Sequence, residues 1–325
     1  MKIKACRPAK ALPGGLIRIE IQDAANPAEL EVRMGEELAD ILGSSGTFLT
    51  VRIPESGTGE LSVFDKDREY SVPLTIGKVL VDDLHPVANP VVDALGNIYI
   101  TFSGARGESV PFSVFVIHPD GSKHPFLGDI VNPTGLAIGP DDYLYISSRH
   151  TGTVYRSTFD KQVEKFAEGL GVASGMAFDS KGNLFVGDRS GIIHKVGPDR
   201  NASIFCELEA SVSAYHLVID SHDVLYVTGP TLATQDSIYQ ISPTGKIEVF
   251  FKGFGRPQGL AFDPYGRLQV TGSFRGRKGL YTFVNGSPEC TVAGPMLVGL
   301  AHDPLGTYLY LVDNQRLYRI ESGPS

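Results

Sequence analysis

The chain of 325 residues has no tryptophan, only three cysteines, no block of basic residues and no apolar run long enough to span a membrane. Each scarcity closes a class of function. Cys6, Cys206 and Cys290 are odd in number and show no ligand spacing, which argues against a disulfide framework and a Cys-based zinc site. Cys206, within Ile204-Phe205-Cys206-Glu207-Leu208, fits a small buried residue in a strand. A net charge of −8, without Lys/Arg interleaved with aromatics, offers no positive footprint. Nucleic acid and anionic membrane surfaces are therefore not expected as partners. The opening Met1-Lys2-Ile3-Lys4-Ala5-Cys6-Arg7-Pro8 is charged and lacks a following apolar stretch, so no export signal is read there and a cytoplasmic location is expected.

What the sequence has in quantity is glycine and proline, 37 and 21 residues, as suits many short strands joined by tight turns. One stretch sets the pattern: Gly259-Leu260-Ala261-Phe262-Asp263-Pro264-Tyr265-Gly266-Arg267-Leu268-Gln269-Val270. An apolar run, an Asp-x-x-Gly turn and a second apolar run recur at Asn89–Ile100, Gly135–Ile146, Gly175–Val186, His216–Val227 and Gly299–Leu311. The equivalent turn positions are Asp93, Gly139, Asp179, Asp220, Asp263 and Asp303, spaced by 46, 40, 41, 43 and 40 residues. Four short strands fit one such period, as in Leu136–Ile138, Leu144–Ser147, Thr153–Ser157 and Val163–Ala167, and that is one propeller blade. Six copies predict a six-bladed ring. The sixth runs out after Arg316–Ile320, so Lys78–Val81 is expected to supply its fourth strand and close the ring, removing two exposed edges.

The first seventy-odd residues lack the repeat. Alternation in Leu16–Ile21 and Thr47–Ile53, with further short runs at Glu31–Met34, Glu60–Phe64 and Ser71–Ile76, predicts a small β-sandwich. A short helix over Glu36–Leu42, bounded by Gly35 and Gly43, is the alternative for that segment. The expected fold is thus all-β: an immunoglobulin-like sandwich over residues 1–76 and a six-bladed propeller over 77–325.

Two resemblances attach to these residues. Pro13-Gly14-Gly15, Val32-Arg33-Met34-Gly35, Ser44-Ser45 before the strand ending Ile53-Pro54, and Leu61-Ser62-Val63 resemble the IPT/TIG group of immunoglobulin-like domains, over most of residues 8–76. That implies a spacer or interaction module. The Gly-Leu-Ala-Phe-Asp and Leu-Tyr-Val words of residues 78–320 resemble NHL repeats and gluconolactonase-like propellers. The second resemblance implies a divalent metal, such as calcium or zinc, in the central channel, held by Glu and by Asn or Asp just before the glycine that opens each blade. The matching positions here are Ala88, Thr134, Ser174, Tyr215, Gln258 and Val298. None is a carboxylate and only Gln258 offers an amide oxygen, so the family's metal site does not carry over. No cofactor is assigned, and a shifted divalent-metal site using Asn89, His216 and a nearby carboxylate is the alternative.

Propeller sites usually lie where the loops between blades and between the second and third strands emerge. His216 stands where four of the six repeats have glycine, beside Tyr215. It reads either as a general base, with Tyr215 as acid or hydrogen-bond donor, or as a filler of the channel. Arg149 and Arg189 occupy equivalent positions on adjacent blades and could clamp a carboxylate or phosphate, with Arg256 adding to it. Alternatively they pair with carboxylates of the ring such as Asp188 or Asp313. Asn89, Asn132, Asp188 and Gln258 complete the expected polar rim. Gly104-Ala105-Arg106-Gly107 is not a phosphate loop, because no helix follows it. Two functions follow. One is a recognition propeller for a small polar or anionic molecule, or for a protein; the other is a gluconolactonase-like hydrolase or lyase acting on a lactone- or ester-like substrate. The missing metal carboxylates favour recognition.

Overall fold

Residues 1–24, 26–56 and 59–323 are described by the computed structural model, and all but one of their regular elements are strands. The exception is one 3-10 turn at Pro27–Glu29, so no helix among the described residues is long and apolar enough to cross a membrane.

Residues before Gly77 form two four-stranded antiparallel sheets. One has the order Lys2–Arg7, Leu16–Gln22, Phe48–Arg52, Asp40–Ser44; the other Glu37–Leu38, Glu31–Met34, Leu61–Asp65, Arg68–Ser71. Alternate residues of facing strands, among them Ile17, Ile19, Ile21, Val32, Met34, Leu49, Val51 and Val63, make one core between them. The helix allowed over Glu36–Leu42 does not form. Gly35, at φ 60, turns the chain so that Glu37 pairs back onto Met34, and Asp40–Ser44 then joins the opposite sheet. The left-handed glycine makes a tight hairpin where helical φ/ψ would be required. Lys2–Arg7, which sequence reading left unassigned, pairs with Leu16–Gln22 and turns Cys6 into the core.

From Lys78 onward the chain makes six four-stranded antiparallel units. In the first, Val91–Val92, Ile98–Thr101, Val114–Ile117 and Lys123–Leu127 run in sheet order, and the next four begin at Pro133, Ala173, His216 and Leu260. The last consists of Gly299–His302, Tyr308–Val312, Leu317–Glu321 and, paired antiparallel to that strand, Lys78–Val81. First strands of successive units touch in a closed cycle, the sixth against the first, which defines a ring with an axial channel. Cores lie between neighbouring blades rather than within them: Tyr145 and Val154 of the second pack with Met176, Leu184 and Val186 of the third. The turn aspartates serve the backbone. Asp93 accepts hydrogen bonds from the amides of Leu95 (2.9 Å) and Asn97 (2.8 Å), and Asp179, Asp220 and Asp263 repeat the pattern. Such side-chain caps pin a tight turn and use up the carboxylates.

The two parts share a sheet. Lys10–Ala11 lies parallel to the outer strand Ser287–Ala293 of the fifth blade, and Thr75–Ile76 lies parallel to Lys10–Ala11, giving six strands in all. Leu12, fully buried, packs in the propeller core with Leu280, Val292, Leu297 and Ile320. Arg316 and Glu55 add an ion pair at 2.6 Å across the junction.

Candidate anion-binding site

The axial channel is nearly closed. Gly135 and Gly175 sit where an added Cβ would lie 2.3 Å from the carbonyl oxygens of Ser174 and Tyr215, so neighbouring first strands come within backbone contact there. A cavity of ≈ 20 Å³ there is lined by Asn89, His216, Met176 and the glycines. That is room for about one water molecule.

His216 therefore fills the channel. It is 2% exposed, its Nε2 has no hydrogen-bond partner among the described residues, and burial pushes its pKa down to about 4. A neutral imidazole is the form a desolvated site favours. Tyr215 turns elsewhere: its ring lies against Gly187 and Gly229, and its hydroxyl donates to the Glu209 carbonyl. Burial first, and then nearby groups including Tyr239 and Glu209, raises its pKa. The expected acid and base are thus not brought to a common cavity, and the ≈ 20 Å³ cavity at His216 has no space for a lactone. The polar residues of the channel are equally committed. Asn89 donates to the Leu260 carbonyl at 2.7 Å and accepts from the Leu300 amide at 3.2 Å, tying the first blade to the fifth and sixth. Gln258 acts through its backbone, with its amide donating to Thr271 and its carbonyl accepting from Thr228. No three His, Cys, Asp or Glu side chains are grouped to hold a metal ion among the described residues. The donor set does not fit a channel metal.

The other expected residues meet on the rim. A cavity of ≈ 390 Å³ is lined by Arg106, Asn132, Arg149, His150, Gly171, Val172 and Arg189, which come from loops of the first three blades. Arg149 and Arg189 each follow a second strand, Leu144–Ser148 and Leu184–Asp188, and the strand ends set both side chains on the same face. Arg149 donates from Nη2 to the Ser103 hydroxyl at 3.1 Å, and Arg189 donates from Nη2 to the Val212 carbonyl at 2.6 Å and from Nε to that of Ser211 at 3.4 Å.

The alternative of ring ion pairs fails on geometry. None of Arg106, Arg149 and Arg189 forms a salt bridge among the described residues, whose ion pairs involve other arginines, Lys165 and Lys246. Asp188, 5% exposed, instead accepts from the Val172 amide (2.8 Å) and from the amide and hydroxyl of Ser190. Gly171, at φ 60, presses so close that a Cβ would overlap that carboxylate. Asp313 caps its own loop through the amides of Gln315 and Arg316 and the hydroxyl of Tyr318. Without direct ion pairs among the described residues, the guanidinium groups act on one another. The Arg149 pKa is lowered by burial first, then by the positive charges of Arg189 and Arg106.

Asn132 has a supporting role. Fully buried and at φ 46, it accepts from the Gly107 amide at 2.7 Å and donates to the carbonyls of Gly104 (3.0 Å) and Ala105 (2.8 Å). It thereby fixes the loop that presents Arg106. Arg256, exposed in the loop that enters the fifth blade, does not line this cavity. Arg106 is the residue that sequence reading left without a role. It stands 13 positions after Asp93, whereas Arg149 and Arg189 stand ten after Gly139 and Asp179, so a longer first-blade loop hides the equivalence.

The ring of antiparallel blades defines a β-propeller protein. No family model and no curated protein sequence matches the chain. Solved structures do. A candidate gluconolactonase shares 18% identity at a TM-score of 0.62, with 76% of this chain and 92% of that chain covered. An auxiliary nutrient binding protein from Bacteroides ovatus shares 12% identity at a TM-score of 0.54, covering 99% and 98% of the two chains. A catalytically inactive virginiamycin B lyase from Staphylococcus aureus, crystallised with quinupristin, shares 12% identity at 0.53, covering 94% and 98%. At such identities the likeness is one of fold, and propellers host binding and catalysis alike.

Proposed function

We propose that this protein is a recognition propeller that binds a small anionic molecule at the rim cavity between the first three blades. The observation that carries the reading is that three guanidinium groups, none in a salt bridge among the described residues, line a cavity of ≈ 390 Å³ in a chain of net charge −8. Exposed and half-exposed arginines without carboxylate partners are free to take up an anion, and the cavity falls in the usual range of about 300–1,000 Å³ for small-molecule sites. The guanidinium fork suits carboxylate and phosphate oxygens. The N-terminal sandwich, in this reading an IPT/TIG-like module, holds the propeller or presents it to other molecules.

The test is calorimetric titration with simple carboxylates and phosphates, against Arg149→Ala and Arg189→Ala. Each variant is expected to weaken binding by about 10-fold or more, and the double variant to abolish it, with the folded state intact. Wild-type binding that survives both substitutions would remove the site.

The hydrolase or lyase reading is supported by the fold shared with a candidate gluconolactonase and a lyase. Turnover of a lactone panel, lost in His216→Ala, would restore it.

A further inference from the structure

We infer, resting on the rim site just proposed, that its ligand is a small organic dianion: a dicarboxylate or a phosphate monoester rather than a monoanion, a neutral sugar lactone or a nucleotide. The charge count comes first. Arg106, Arg149 and Arg189 bring three positive charges from three different blades to one cavity. Arg149 feels the positive charge of both the others. One carboxylate can take two guanidinium forks and leaves the third facing like charge; a second anionic group removes that repulsion.

The nearby acids are spoken for. Asp188 is held by Val172 and Ser190, and the Glu108 carboxylate accepts from the Ala105 amide at 2.6 Å. The remaining lining offers His150, Asn132, Gly171 and Val172, with no carboxylate to receive an ammonium group.

The lining also speaks against larger anions. It contains no Phe, Tyr or Trp, so a nucleobase would find only His150 and the guanidinium planes the anion itself needs. Two of the three arginines are already oriented, Arg149 by Ser103 and Arg189 by the Ser211 and Val212 carbonyls. Arg106 rides on the loop pinned by Asn132. Two fixed forks form one binding end and the loop arginine supplies the second, so the two anionic groups belong on one small molecule.

The deciding experiment is calorimetric titration of the full chain, at fixed ionic strength, with pairs matched in size and differing in charge: butyrate with succinate, and glucose with glucose 6-phosphate. The dianion of a pair is expected to bind at least about tenfold more tightly than its partner. Arg106→Ala should weaken the dianion by more than the monoanion, and its unchanged melting temperature would show that the exposed substitution leaves the fold intact. Succinate ahead of glucose 6-phosphate would identify a carboxylate ligand, the reverse order a phosphate, and either supports the inference. Equal affinity for butyrate and succinate, with both lost in Arg149→Ala, would overturn the dianion while leaving the anion site standing. Absence of binding by every anion would overturn both.

Discussion

Asn132 occupies a backbone region that asparagine tolerates and most residues do not, and its side chain explains why glycine does not replace it. Its amide donates to two carbonyls and accepts one amide, closing the Arg106 loop. Asn132→Asp keeps the shape but sets a carboxylate against those carbonyls. The expected cost is about 2–3 kcal/mol, read by urea unfolding, together with weaker anion binding because Arg106 loses its mount. A stability unchanged from wild type would mean that the loop is held by other contacts.

His216 contributes to the pH dependence of the ring, as do His194 and His302, whose pKa values burial also lowers. The folded pKa of His216 is depressed to about 4 from 6.5, so the unfolded chain binds the extra proton first as pH falls. The stabilisation is complete above pH 6.5 and is lost progressively down to about pH 4, by which point the loss amounts to about 3 kcal/mol. His216→Met, which fills the channel without titrating, should flatten stability over that window in unfolding curves taken at several pH values. A slope identical to wild type would move the acid sensitivity to other groups.

At the scale of elements, the repeat is conserved in its turns and varied in its fillings. The position of the second strand that pairs with the penultimate residue of the first strand is Tyr99, Tyr145, Phe185, Tyr226 and Tyr310 in five blades, and Gln269 in the fifth. There the amide bonds His302 at 2.8 Å and Thr282 at 3.1 Å beside a cavity of ≈ 30 Å³, so a polar network replaces an aromatic ring. The closing strand matters more. Lys78–Val81 bonds only to Leu317–Glu321, and without it the sixth blade ends on a bare edge. Deleting residues 1–84 should therefore yield an aggregating propeller by light scattering, whereas deleting 1–75 leaves the ring closed. Equal behaviour of the two truncations would remove the role assigned to the strand.

Over the whole molecule, the boundary near Gly77 is a change of sequence pattern more than a structural break. Leu12 sits in the propeller core, and Lys10–Ala11 extends the fifth blade. The 1–75 truncation uncovers that pocket, so it should melt below the full chain even though it folds, by an amount near the roughly 2–5 kcal/mol of a large buried side chain. Single-transition calorimetry of the full chain would show the same coupling.

Local pattern was enough for the repeat, its turn aspartates and the all-β class, because strand alternation and Asp-x-x-Gly turns are written within a dozen consecutive residues. The matched phase of Arg149 and Arg189 was likewise visible as a repeat position. The helix alternative over Glu36–Leu42 gave way because strand pairing depends on partners distant in sequence. Three further outcomes rested on distances between blades: the near closure of the channel at Gly135 and Gly175, the turning of Tyr215 away from His216, and the gathering of Arg106 with Arg149 and Arg189. Residues about 40 positions apart meet only when the ring closes, and what each side chain can then do is set by burial and by which charges are left without partners.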